Sequence, residues 1–151
     1  MTEQPRIERS LDGRNAYSPF LDYIKLRDMR DFETSGDYYQ TRFHETVHWT
    51  GNEKRLARTF GTRFGDELYS YEELVAELGA SFLAAECQID TTEMQQNNAA
   101  YMQHWASFLK ESPAKMLMDA MRDAQKAVEY IKNERPAATV AKTQDVQPIA
   151  A

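Results

Sequence analysis

Cysteine is almost missing from this chain, since Cys87 is its one thiol in 151 residues. A single cysteine excludes a disulfide framework and a thiolate cluster, and its simplest setting is the reducing cytoplasm. Long apolar runs are absent too: none approaches the ~18 residues of a membrane span, and the polar opening MTEQPRIERS is unlike a signal peptide. Positive charge is in deficit, with a net charge of −6, which disfavours nucleic-acid binding through phosphate neutralisation.

The chain divides into three segments by composition. Residues 1–14 are polar and charged, which predicts a flexible N-terminal arm. Residues 15–135 hold the periodic apolar positions and predict one compact domain, with a short strand at residues 21–26 followed by four helices. Residues 136–151 lack periodicity and large side chains, which predicts a disordered tail.

Histidine is scarce, yet two of the three histidines lie four residues apart in the segment HETVH. On a helix these two residues, His44 and His48, share one face, so both imidazoles can bind the same metal ion. Glu45 points about 100° away from His44, close enough to reach a water on that metal without becoming a ligand. This is the geometry that a general base needs.

A catalytic zinc site needs a third protein ligand and an open position for water. The next helix, predicted to open at Ser70, offers Glu73 and Glu77 on one face, and His104 is the other candidate. The carboxylate pair is favoured because it can supply both a ligand and an acceptor for a ligand imidazole N–H. A metal-free interpretation stays open, since Ser70 and Glu73 also have the spacing of a capping box and Glu77 fits a solvated face.

The residues around these motifs resemble a known family. The segments YYQTRFHETVHWTG, YSYEELVAELGASFL and NNAAYMQHWASFLK are similar to the zincin-like metallopeptidase domain of ArdC-type antirestriction proteins. That domain also occurs in polyvalent proteins of plasmids and phages. The similarity covers residues 16–131 and implies an α+β zincin-like fold, in which an active-site helix, a glutamate helix and two packing helices lie against a small sheet.

The resemblance also implies the roles of the site residues. It places the third ligand in the Glu-Glu-Leu-x-Ala-Glu helix, and Glu73 is the preferred choice because Ala76 and Ala80 follow it at the spacing found in related zincins. The implied site therefore has Zn²⁺ held by His44, His48 and Glu73, Glu45 as the catalytic residue, and Glu77 as the acid that braces a ligand histidine.

The implied reaction is hydrolysis of a peptide bond in a protein or peptide substrate, as part of a plasmid or phage antirestriction or host-takeover function. The alternative is a non-catalytic antirestriction or host-protein-binding module whose zinc is structural. No membrane partner is expected. DNA binding is doubtful, because the chain begins almost at the peptidase domain, without the single-stranded-DNA-binding domain that usually precedes it in the family. The residue that stabilises the oxyanion is not evident, and Tyr71 and Tyr101 are the candidates.

Overall fold

A computed structural model of the chain describes residues 3–61, 66–90, 99–100, 103–105, 107 and 113–134. The predicted tail and most of the third of the four predicted helices lie outside these ranges. The described part is an α+β domain, mostly helical with a small sheet, so the predicted fold class is confirmed. Its main elements are β1 (Arg6–Arg9), β2 (Ala16–Ser18), β3 (Tyr23–Leu26), α1 (Ser35–Thr50), α2 (Glu67–Glu86) and α3 (Pro113–Glu134).

The sheet has the order β1-β3-β2, with β1 parallel and β2 antiparallel to β3. The central strand alternates as expected for a sheet with one covered face, because Ile24 and Leu26 are buried against Trp49 of α1. Strand β1 lies within the segment for which a flexible arm is predicted. Its sequence RIER has one apolar residue and no alternating pattern, so its pairing comes from β3, where Ile7 lies opposite Ile24.

Helix α1 begins with a capping box, in which the Thr34 hydroxyl accepts from the Asp37 amide and the Asp37 carboxylate accepts from the Thr34 amide. It ends at Gly51, which has a right-handed φ of −78° and so needs no glycine for its conformation. Space is the reason for this glycine: a Cβ there would lie 2.7 Å from the Phe60 ring and 2.8 Å from the Arg58 guanidinium. The chain therefore folds back tightly against the end of the helix.

Helix α2 begins at Glu67, three residues before the predicted start, with Asp66 as its N-cap. Ser70 is fully buried inside the first turn, so the interpretation of Ser70 and Glu73 as a capping box is wrong. The side chain of Glu73 is thereby directed to the neighbouring helix. α1 and α2 pack closely at Gly79, where a Cβ would lie 2.7 Å from Val47, and α3 covers both helices through small buried residues such as Ala120 and Ala124.

Candidate metal centre

Three donor side chains converge where α1 and α2 pack together. The Nε2 atoms of His44 and His48 lie 3.1 Å apart. Glu73 reaches across from α2, with one carboxylate oxygen 3.3 Å from Nε2 of His44 and the other 3.2 Å from Nε2 of His48. Of the three candidates for a third ligand, Glu73 is therefore the one that the fold places with both histidines.

The size of this triangle can be compared with the requirements of a metal. Neighbouring ligands in a tetrahedral site with metal–ligand bonds of 2.0–2.1 Å lie about 3.3 Å apart. The two Nε2 atoms lie 3.1 Å apart, and each lies 3.2–3.3 Å from a different oxygen of Glu73, so the three side chains are spaced closely enough to share one metal ion. Two neutral imidazoles and one carboxylate are also a donor set that zinc accepts, so the residues fit a bound divalent metal.

The outer nitrogen of each histidine faces its own carboxylate on α2. Nδ1 of His44 lies 3.4 Å from Glu77, and Nδ1 of His48 lies 3.1 Å from Glu72. An imidazole that donates from its outer nitrogen keeps the lone pair of the other nitrogen for a metal, and its ring cannot turn without losing the bond. Both rings are therefore fixed with Nε2 toward the common centre.

Glu72 is not among the site residues that the sequence predicts, since Glu73 and Glu77 are the two candidates on its helix. It is 3 % exposed and accepts two bonds of 2.9 Å from Arg58, one on each carboxylate oxygen. Arg58 also donates to the carbonyl of Val47 and to the hydroxyl of Thr50, and so ties the end of α1 to α2. No local pattern marks this contact, because Arg58 comes from the turn that follows Gly51.

The carboxylates control the protonation of the metal-free site. Burial alone would lower the pKa of His48, but hydrogen bonds to Glu72 and Glu73 outweigh it and raise that pKa to about 9. The pKa of His44 is likewise raised, against burial, by its bonds to Glu73 and Glu77. Conversely, the partial burial of Glu73 would raise its pKa, yet its bonds to both histidines hold that pKa well below the usual range. The metal-free site thus binds protons that an incoming metal must displace.

Glu45 is held from the sheet and not from α2. Its Oε2 accepts a 2.8 Å hydrogen bond from the backbone amide of Tyr17 in β2, and its side chain is buried beside the two histidines. It does not belong to the triangle of donor atoms formed by His44, His48 and Glu73. Its carboxylate is therefore fixed beside the metal donors without being one of them.

A polar network fixes the β2–β3 hairpin to the turn after α1. The hydroxyl of Tyr17 donates to Asp22 at 2.8 Å and accepts from Asn52 at 2.9 Å. Asp22 is also paired with Arg55, whose guanidinium is fully buried and lies 4.0 Å above the Trp49 ring. Because both ends of this network are anchored, the Tyr17 amide has a set position relative to Glu45.

The donors open into a cavity of about 360 Å³. Tyr69 lines this cavity, whereas the hydroxyl of Tyr71 is bonded to Asp123 on α3 at 2.7 Å. His104 is exposed, meets the Trp105 ring edge-on and is not one of the three grouped donor residues, and Tyr101 lies outside the described residues. The full lining consists of Asn15, Ala16, Tyr17, Pro19, His44, Glu45, His48, Phe60, Gly61, Tyr69, Glu72 and Glu73.

This geometry defines the class of site. An H-E-x-x-H helix with a further carboxylate from a second helix is the metal-binding arrangement of zincins. Residues 2–123 match the model of the zincin-like metallopeptidase family, and the chain belongs to that family. The resemblance inferred from the motifs is confirmed.

Relatives of known structure are antirestriction proteins. The Mn(II)-bound ArdC protein of plasmid R388 is 34% identical and superposes with a TM-score of 0.70 over 90% of this chain and 49% of its own. Its metal-free form gives a TM-score of 0.67. Two DNA primases TraC of Escherichia coli are 37% and 35% identical over 125 residues, which is 83% of this chain but 12% and 8% of theirs. The chain thus spans about half the length of the antirestriction proteins and a small part of the primases.

No helix in the described ranges has the length and apolar character needed to cross a membrane.

Proposed function

We propose that this domain is a zinc-dependent peptidase that hydrolyses a peptide bond of a protein substrate, within a protein carried by a mobile genetic element. The observation that carries the proposal is the grouping of three donor side chains, His44, His48 and Glu73, with the buried carboxylate of Glu45 beside them. A metal site with only a structural role has no use for that glutamate. The plasmid origin of the ArdC relative supports the setting.

In the proposed site, His44, His48 and Glu73 hold the metal, and Glu72 and Glu77 orient the two imidazoles. A bound zinc ion supplies Lewis acidity, which polarises the substrate carbonyl and lowers the pKa of a water toward neutrality. Glu45 takes the proton from the attacking water and passes it to the leaving nitrogen of the peptide bond. The Tyr17 amide holds the Glu45 carboxylate in place for both transfers.

Zinc is the proposed metal because imidazole nitrogens favour it, although the ArdC relative was solved with Mn(II). Elemental analysis of protein purified without chelators should find about one zinc per chain. Titration of the stripped protein should then show tighter binding of Zn²⁺ than of Mn²⁺. Stronger binding of Mn²⁺ would reassign the metal, and failure to bind either ion would remove the basis of the peptidase proposal.

The decisive experiment is Glu45→Gln, which keeps the shape of the side chain and removes the base. Zinc content should be retained, while cleavage should fall by about 10²- to 10⁴-fold, the usual cost of losing a general base. Wild type and variant are compared by incubating each with host lysate and quantifying new protein N-termini. His44→Ala is the matched control and should lose both zinc and cleavage.

The outcomes separate the peptidase from the binding module. If Glu45→Gln produces new N-termini as fast as wild type, Glu45 is not the base and the proposed mechanism is wrong. If neither protein produces any, yet both retain antirestriction activity in cells, the domain works by binding and its metal is structural.

A further inference from the structure

Tyr69 lies one helical turn before Glu73 on α2, and Glu77 lies one turn after it. Residues four apart on a helix share a face, so these three side chains form a stripe directed at α1. Glu73 contacts both imidazoles, and Glu77 contacts the outer nitrogen of His44. Tyr69, at the start of the stripe, lines the cavity that the two histidines and Glu45 also line.

Two contacts fix the position of this tyrosine. A Cβ on Gly61 would lie 2.2 Å from the backbone nitrogen of Tyr69 and 2.6 Å from its Cα, so the chain at Gly61 passes directly against the helix backbone. On the other side, the Tyr69 ring packs on Trp105 with 5.6 Å between ring centroids. The residue is therefore confined at its backbone by Gly61 and at its ring by Trp105.

The surroundings of the phenol keep it protonated. Its partial burial raises its pKa, and the negative charges of Glu73 and Glu45 raise it further. A neutral phenol donates one hydrogen bond, whereas a phenolate can only accept. The cavity wall therefore includes a neutral phenol, together with the two histidines and Glu45.

Building on the proposed peptidase function, we propose that Tyr69 is a catalytic residue whose hydroxyl donates a hydrogen bond to the carbonyl oxygen of the scissile peptide bond as that oxygen gains negative charge. A fixed donor at that place stabilises the transition state more than the bound substrate, because the charge that it meets is still small in the ground state. Its contribution therefore falls on kcat and not on KM.

The test compares Tyr69→Phe with Tyr71→Phe, which removes the same atom two residues away on the same helix. Both variants should keep the zinc content of wild type. On the peptide that wild type cleaves best from a host-proteome digest, Tyr69→Phe should lower kcat by about 10²- to 10³-fold with little change in KM. Tyr71→Phe should retain cleavage and should show its effect in thermal unfolding, because its hydroxyl bonds to Asp123.

A second measurement does not depend on turnover. A phosphinic pseudopeptide of the same sequence carries a tetrahedral, negatively charged group in place of the scissile amide. Its affinity, measured by calorimetry on the zinc-loaded proteins, should fall with Tyr69→Phe by a factor close to the loss in kcat. Its affinity for Tyr71→Phe should match wild type.

Three results would overturn the assignment. Cleavage by wild type together with equal cleavage by Tyr69→Phe would remove Tyr69 and leave the peptidase proposal standing. A phenolate-to-copper absorption band in Cu(II)-substituted wild type that disappears in Tyr69→Phe would make Tyr69 a metal ligand instead. If wild type cleaves no peptide of the digest, the peptidase proposal fails and the role of Tyr69 fails with it.

Discussion

Glu72 serves two partners at once, and this makes its substitution informative. Its carboxylate faces Nδ1 of His48 and accepts from Nε and Nη2 of Arg58. Glu72→Gln keeps the size of the side chain but leaves one acceptor oxygen and removes the charge. The amide oxygen can take the place of Oε1, but the amide NH2 then meets the Nε–H of Arg58, donor against donor. Because the negative charge is lost as well, both metal binding and folding should weaken.

The two losses have different expected sizes. Removal of the group that orients a metal-bound histidine lowers metal affinity by about 10- to 100-fold, which equals about 1.4–2.8 kcal/mol. The exposed fractions of the Arg58 and Glu72 side chains are only 9% and 4%. Breaking such a buried pair costs about 3–5 kcal/mol, and the lower end applies to this pair because Arg58 keeps its bonds to Val47 and Thr50.

Glu77→Gln is the matched control, since it removes the charge facing the other histidine from a side chain that is 16% exposed. It should lose a similar factor in zinc affinity, measured by competition with a chromogenic chelator. Its free energy of unfolding, measured with denaturant in the presence of EDTA, should fall much less than that of Glu72→Gln. If Glu72→Gln binds zinc like wild type, Glu72 does not orient His48. If the two variants are equally stable, the ion pair between Arg58 and Glu72 contributes less to the free energy of unfolding than stated above.

Glu73→Ala should abolish tight zinc binding, whereas Glu77→Ala should weaken it about 10- to 100-fold. If a chelator titration finds the larger loss of zinc affinity in Glu77→Ala, Glu77 is the ligand. The folded-state pKa of His48 is raised from 6.5 to about 9, so its ion pairs stabilise the metal-free fold fully below pH 6.5. This stabilisation is lost as the pH rises through about 9. Denaturant unfolding in EDTA should show the loss, and a free energy of unfolding that does not change with pH over this range would contradict it. Gly79→Ala should cost about 1–3 kcal/mol through its clash with Val47, and unchanged stability would mean that the helices separate without cost.

The part of the site that lies on one helix could be predicted from the sequence. The spacing of His44, Glu45 and His48 fixes their relative positions as soon as the segment is helical. The choice of Glu73 needed the family resemblance, because spacing alone also allowed a capping box with Ser70. The capping-box spacing of Ser70 and Glu73 is misleading because α2 begins three residues earlier, at Glu67.

The remaining site residues depend on contacts between distant segments. Glu72 directly precedes Glu73, and in the sequence nothing distinguishes it from an acidic residue on the surface. Its role depends on the contact with Arg58, which the chain makes only when it folds back over the end of α1. Tyr69 was missed because its role follows from sharing a face with Glu73, which requires the helix to begin before Ser70. The hydrogen bond from the Tyr17 amide to Glu45 involves only backbone on one side, so no side-chain pattern could have revealed it.

The hairpin that holds Glu45 has a consequence for how this site could change over generations. The donors for the metal all stand on α1 and α2, while the proposed base is positioned by an amide of β2, which a separate network anchors through Tyr17, Asp22 and Arg55. The proposed metal binding thus depends on α1 and α2, while the position of the proposed base depends on β2 as well. A descendant with changes only in the hairpin would keep its H-E-x-x-H motif and the proposed zinc ligands, yet it would lose the hydrogen bond that positions Glu45 and with it the proposed hydrolysis.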